Sequence, residues 1–145
     1  MYFVDQSKIE EILIYMDKIL KELGEFKFHT FAEKLGYERM VHVLIESTLD
    51  VGSMMIDGFI MRDPGSYEDI IDILVDEKVI PCEEQDDYKV FISLRKMLVT
   101  DYIDVDHEKL KAVMDDKKAN IEQFSSHIRT YINNELGVAN AFSNK

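Results

Sequence analysis

"DYKVFISLRKMLVTDY", Asp87 to Tyr102, reads as a helix with one residue out of place. Wound at about 100° per residue, it gathers Tyr88, Phe91, Leu98, Val99 and Tyr102 on one face. Arg95 falls near the middle of that stripe. A guanidinium buried there without a partner costs several kcal/mol, so Arg95 must meet anions or acceptors. Two readings fit. Arg95 serves a site, or it forms a buried salt bridge with an acidic residue of the second segment. The first is preferred.

The same spacing extends outward in both directions. "SKIEEILIYMDKILKEL" carries Ile9, Ile12, Leu13, Met16, Ile19, Leu20 and Leu23 at helical intervals. Ser7 with Glu10 has the pattern of a capping box, and Gly24 supplies a stop. A second segment runs from about Thr30 to Met61, with Tyr37, Val41, Leu44, Thr48, Val51, Met55 and Phe59 on one face. His42, Glu46, Ser53 and Asp57 lie opposite, and Gly36, Gly52 and Gly58 predict bends. After "RDPGS", Ser66 with Asp69 opens a short third helix that ends before Pro81. The arginine helix is expected from about Glu83 to Tyr102. Asp106 caps a last helix with Leu110, Met114, Ile121, Phe124, Ile128 and Tyr131 on its seam, interrupted by Lys117. No strand pattern competes. The expectation is an all-α, up-and-down bundle of about five helices, one domain over residues 1–136 with a flexible tail over 137–145.

At 145 residues the chain can bury a real core. No apolar run approaches a membrane span, and no basic region precedes an apolar block, so neither anchor nor signal peptide is expected. Cys82 is the single cysteine, which leaves no internal disulfide and no thiolate metal cluster. The reading is a cytoplasmic protein. A net charge of −12 argues against a general nucleic-acid-binding surface, although two subunits can still build a local basic pocket.

Three blocks, "YERMVHVLIESTLDVGSMMI", "SYEDIIDILVDEKVIP" and "LRKMLVTDYIDVDHEKL", resemble in order and spacing the HepT-like branch of the HEPN superfamily. These are small helical proteins, many of them ribonuclease toxins. The family signature is Arg, four residues, His, one residue, Tyr. Here "RKMLVTDY" matches it with Arg95 and Tyr102, Lys96 stands where Asn is usual, and Thr100 stands in place of the histidine. The resemblance implies a homodimer whose two subunits form a cleft for metal-independent RNA cleavage. In it a 2′-hydroxyl attacks the adjacent phosphorus. It also implies a partner nucleotidyltransferase antitoxin that transfers AMP onto Tyr102.

The candidate site is therefore Arg95, Thr100 and Tyr102, with no cofactor and no metal. A guanidinium matches phosphate geometry and keeps its proton, whereas imidazole titrates near neutrality. A threonine hydroxyl is a very poor base. The substitution predicts a remnant site whose cleavage is weak or absent. The alternative is a catalytically inactive HEPN dimer acting as a binding or regulatory module, and a third reading is an unrelated helical adaptor. His107 is the one candidate considered to replace the missing imidazole. His29, His42 and His127 read as surface or interface residues. Glu46 and Asp50 read as part of a solvated face, and Met54, Met55 and Met61 as core or dimer seam. Tyr102 is expected to pack its ring on the stripe with its oxygen at the cleft rim, seven residues and about 10 Å from Arg95 on one helix face.

Overall fold

The computed structural model describes residues 3–143, with side chains placed through residue 137. Its elements are α1 (Gln6–Glu25), α2 (Phe31–Gly58), α3 (Tyr67–Asp76), a 3₁₀ turn (Cys82–Glu84), α4 (Gln85–Val99), α5 (His107–Ile121) and α6 (Phe124–Ser143). The fold is all-helical, and no strand occurs among the described residues.

The helix starts follow local chemistry. α1 is capped by Asp5, whose Oδ1 accepts the Lys8 N–H at 3.0 Å, so Ser7 sits inside the first turn rather than at the cap. Gly24 lies within α1, which ends one residue later. Thr30 and Glu33 cap α2 reciprocally: the Glu33 N–H donates to Thr30 Oγ1 and the Thr30 N–H to Glu33 Oε1. The Thr30 N–H, joined by the His29 N–H, holds the Glu33 carboxyl below its ordinary range. Ser66 caps α3 through the Asp69 N–H, and Asp106 caps α5 through the Lys109 N–H, both as the spacing predicts.

Two helix ends differ from the periodic reading. α4 stops at Val99, because the N–H groups of both Thr100 and Asp101 donate to the Lys96 carbonyl and the Asp104 N–H closes a turn on Asp101. Thr and Asp side chains favour such turns over helix interiors. Tyr102 therefore leaves the helix face and stands 66 % exposed, so the expected packing of its ring does not occur. The last segment is two helices instead of one, interrupted where Gln123 N–H tightens onto the Asn120 carbonyl. α6 continues to Ser143, which puts residue 137 inside a helix; residues 144–145 of the expected tail lie outside the described residues.

The core is continuous through all six α-helices, with Leu13, Met16, Leu44, Met55, Ile71, Tyr88, Phe91, Met114 and Phe124 buried. Tyr88 donates its hydroxyl to the Asn120 carbonyl at 2.7 Å, and burial drives its pKa far upward. Lys117 escapes the seam by pairing with Asp87 and Asp116. α2 is one uninterrupted helix despite its glycines. Gly52 permits close packing: a Cβ there would lie 2.7 Å from Ile70 Cγ2 and 3.4 Å from Leu74 Cδ1. Gly52→Leu is thus expected to destabilise the fold by about 1–3 kcal/mol through overpacking, seen as a lower urea midpoint. Gly137→Ala, with nothing near its added methyl, is the control and should hold or raise the midpoint.

α4 runs antiparallel to α2. Glu46 meets Arg95, and eight residues earlier on α2 Glu38 meets His107, which follows α4. That pairing positions the site.

Candidate functional site

Arg95 lies on α4 with its side chain 28 % exposed, facing α2 and the start of α3. Its Nε donates to Glu46 Oε1 at 2.6 Å. The Tyr67 ring covers the guanidinium, with Cζ 4.7 Å from the ring centroid. The hydrogen bond that Arg95 donates to Glu46, more than any other contact, pushes the Arg95 pKa further above its already high value. Arg95 is permanently cationic.

The second reading of this arginine is therefore correct as far as it goes: an acidic residue of the second segment partners it. The pair is not deeply buried, since Glu46 is 36 % exposed. A half-exposed ion pair contributes at most about 1 kcal/mol, which is too little to explain an arginine on an apolar stripe by stability alone. What the pair does is positional. Glu46 occupies Nε, and neither Nη atom donates a hydrogen bond to a described residue. A guanidinium held by its Nε keeps its Nη edge for a planar oxyanion.

A shallow cleft of about 290 Å³ opens beside it, lined by Tyr67, Glu68, Ile92, Ser93, Arg95, Lys96 and Thr100. Arg95 and Thr100 thus share one cleft. Tyr102 is not on its lining and projects from the turn after α4, beside Ile103, which is 90 % exposed.

The histidines divide clearly. His107 bonds Glu38 at 2.7 Å and stacks edge-on against Phe28, about 12 Å along α2 from the level of Glu46. It is not at the Arg95 cleft. His127 bonds Glu84, which immediately precedes α4, away from Arg95. His42 contacts Glu46 Oε1 at 3.4 Å, the same oxygen that receives Arg95. Glu46 is thus no idle member of a solvated face, while Asp50 is exposed and Met55 packs in the core. Among the described residues, no group of three or more His, Cys, Asp or Glu side chains is placed to hold a metal ion. No described helix is long and apolar enough to cross a membrane.

Tyr67 and Glu46 are the site residues that periodicity failed to single out. A signal existed for Glu46: it follows His42 by one turn on the polar face of α2, where an interior arginine could find it. Tyr67 had none beyond its place at the start of α3.

Comparison with known proteins identifies the family and the fold. A family model described as ribonuclease HepT-like matches residues 9–128. The chain is 44 % identical over 143 residues to "Putative RNase YutE" of Bacillus subtilis (strain 168), spanning 98 % of this chain and 99 % of that one. A solved structure of YutE from Bacillus subtilis, described as a cytosolic protein of unknown function, matches with a TM-score of 0.87. Its identity is 45 %, over 94 % of this chain and 96 % of the other. A helical bundle that sets an arginine and its motif neighbour in one cleft, matched over most of its length, belongs to the HepT-like ribonuclease family.

Proposed function

We propose that this chain carries a remnant, metal-independent endoribonuclease site that binds an RNA phosphodiester through Arg95. The observation that carries the reading is the guanidinium itself, clamped by Glu46 at Nε, covered by Tyr67, with neither Nη hydrogen-bonded to a described residue and a cleft beside it. Thr100 occupies the position of the motif histidine, so the site retains its anion holder and lacks its proton carrier at that place. Cleavage is therefore slow.

The protein works as a homodimer. Val99, Tyr102, Ile103 and Tyr67 leave apolar surface exposed around the cleft, and a two-fold pairing of that surface brings two Arg95 clefts together. Such a pairing also concentrates Arg95 and Lys96 from both subunits, offsetting locally a chain charge of −12. A nucleotidyltransferase antitoxin is its partner and Tyr102 the residue modified. The compartment is the cytoplasm, in keeping with the cytosolic description of the YutE structure. Thr100 also favours a second reading, a catalytically inactive dimer that binds RNA or a protein without cutting.

Arg95→Ala tests the phosphate role. A hydrogen bond to a charged group contributes about 1.5–3 kcal/mol, so RNA affinity at low salt should fall about 10–100-fold and residual cleavage should vanish. Fluorescence anisotropy with a mixed-sequence RNA, in a chelator, reads the first effect. Equal affinity and equal cleavage in the variant would remove Arg95 from the site.

A further inference from the structure

We propose that His42 is the proton-transfer group of this site, doing from α2 what the motif histidine does from α4 in a complete family site. The inference rests on the RNA-cleaving reading above and names the residue that makes residual cleavage possible.

Geometry carries it. Glu46 Oε1 touches His42 Nε2 at 3.4 Å and Arg95 Nε at 2.6 Å, which places imidazole and guanidinium within about 6 Å of each other. Because α2 and α4 are antiparallel, moving from Glu46 back to His42 advances about 6 Å along the bundle. Moving from Arg95 on to Thr100 advances about 7 Å in the same direction. The imidazole therefore stands at the level of the threonine, on the neighbouring helix. It does not line the cleft between α3 and α4; it flanks Arg95 from the α2 side.

His–Glu pairs one turn apart on exposed helix faces are ordinary, contributing a few tenths of a kcal/mol. This pair differs because the same carboxylate oxygen is fastened to the arginine of the family motif. Glu46 so fixes the relative positions of a cation for the phosphate and a base for the nucleophile. His42 is partly exposed, with 31 % of its side chain open to solvent, so substrate can reach it. Neither His107 nor His127 has that placement, since each is engaged by a glutamate away from Arg95.

The step balances simply. With a phosphate on the Arg95 Nη edge, the neighbouring 2′-hydroxyl gives its proton to Nδ1 of His42, the ring nitrogen turned from Glu46. The 2′-oxygen then bonds phosphorus and the bond to the 5′-oxygen breaks. The leaving oxygen takes a proton from water, and His42 later returns its own to solvent. The products are a 2′,3′-cyclic phosphate and a 5′-hydroxyl.

The test uses full-length wild type, His42→Gln, Thr100→His and the double variant, on mixed RNA in a chelator. Binding is followed by anisotropy and folding by thermal melts. His42→Gln is expected to lower wild-type cleavage by about 10²-fold or more while leaving RNA affinity and melting unchanged. In the Thr100→His background the same change should cost far less, because the motif imidazole then carries the proton. His42→Asn should reproduce the loss and guards against an artefact of one replacement. Wild-type cleavage that survives both His42 variants overturns the inference and leaves the RNA site standing. So does a wild type at background beside an active Thr100→His. If no variant binds or cuts RNA, the ribonuclease reading itself falls, and His42 with it.

Discussion

Thr100→His is expected to raise metal-free RNA cleavage by about 10–10²-fold over the wild type, part of the roughly 10²–10⁴-fold that positioned general acid–base catalysis contributes, because His42 already carries the rest. The motif position lies in the right place to act. Thr100 caps the end of α4, five residues beyond Arg95, and lines the same cleft of about 290 Å³. Its backbone N–H is already committed to the Lys96 carbonyl at 2.8 Å, so the backbone there is held whatever the side chain. Exposure leaves room for an imidazole without disturbing the core. Initial rates on saturating RNA, followed by gel or by release of a fluorophore, measure the gain. Tight RNA binding with no gain in rate would mean that the end of α4 is not aimed at the bound phosphate.

The fold was legible because apolar spacing and caps agree along nearly the whole chain. Ser66 and Asp106 announced their helices, and Leu13, Met55, Phe91 and Phe124 fell in the core as their periods required. Where the reading missed, two local signals competed. Periodicity carried the arginine helix through Tyr102, yet the polar cluster Thr100, Asp101 and Asp104 turns the chain first. Apolar periodicity has no term for that competition. At the start of α1, Asp5 and Ser7 are both good caps, and a pattern search cannot weigh them.

The site was half legible. Arg95 stood out because a charge on an apolar stripe demands a partner, and the spacing to Thr100 came with the motif. Glu46 and His42 did not stand out, because one turn of separation on a polar face is commonplace in a chain with 29 acidic residues. What singles them out is the direction of α4 relative to α2, a tertiary fact. Tyr67 is similar. It meets Arg95 through the packing of α3 beside α4, and α3 in turn lies close over Gly52 of α2.

Incubated with ATP and a partner nucleotidyltransferase, the wild type is expected to take up one AMP per chain, and Tyr102→Phe none. The transfer needs a phenol oxygen that can reach the α-phosphorus of ATP, displace pyrophosphate and pass its proton to a base on the transferase. Tyr37 and Tyr88 fail on access: both are buried, and desolvation pushes the Tyr37 hydroxyl up to about 12, making its oxyanion scarce. Tyr15 and Tyr67 are about half exposed, but Tyr15 sits on α1 and the Tyr67 ring lies against Arg95. Tyr102 is 66 % exposed on a turn that leaves the helix, so a second protein's active site can surround it. The departure from helical geometry matters here, because a ring packed on α4 would have offered only its oxygen. AMP on Tyr102 adds a bulky phosphodiester beside Val99 and Ile103, exposed apolar residues that a two-fold interface would cover. Burying that charge costs several kcal/mol unless it is paired, so modification should weaken the dimer as well as obstruct Arg95. Peptide mapping by mass spectrometry locates the adduct, and light scattering before and after modification reads the assembly. An adduct that persists in Tyr102→Phe would move the target to another tyrosine of the chain and detach regulation from the turn after α4.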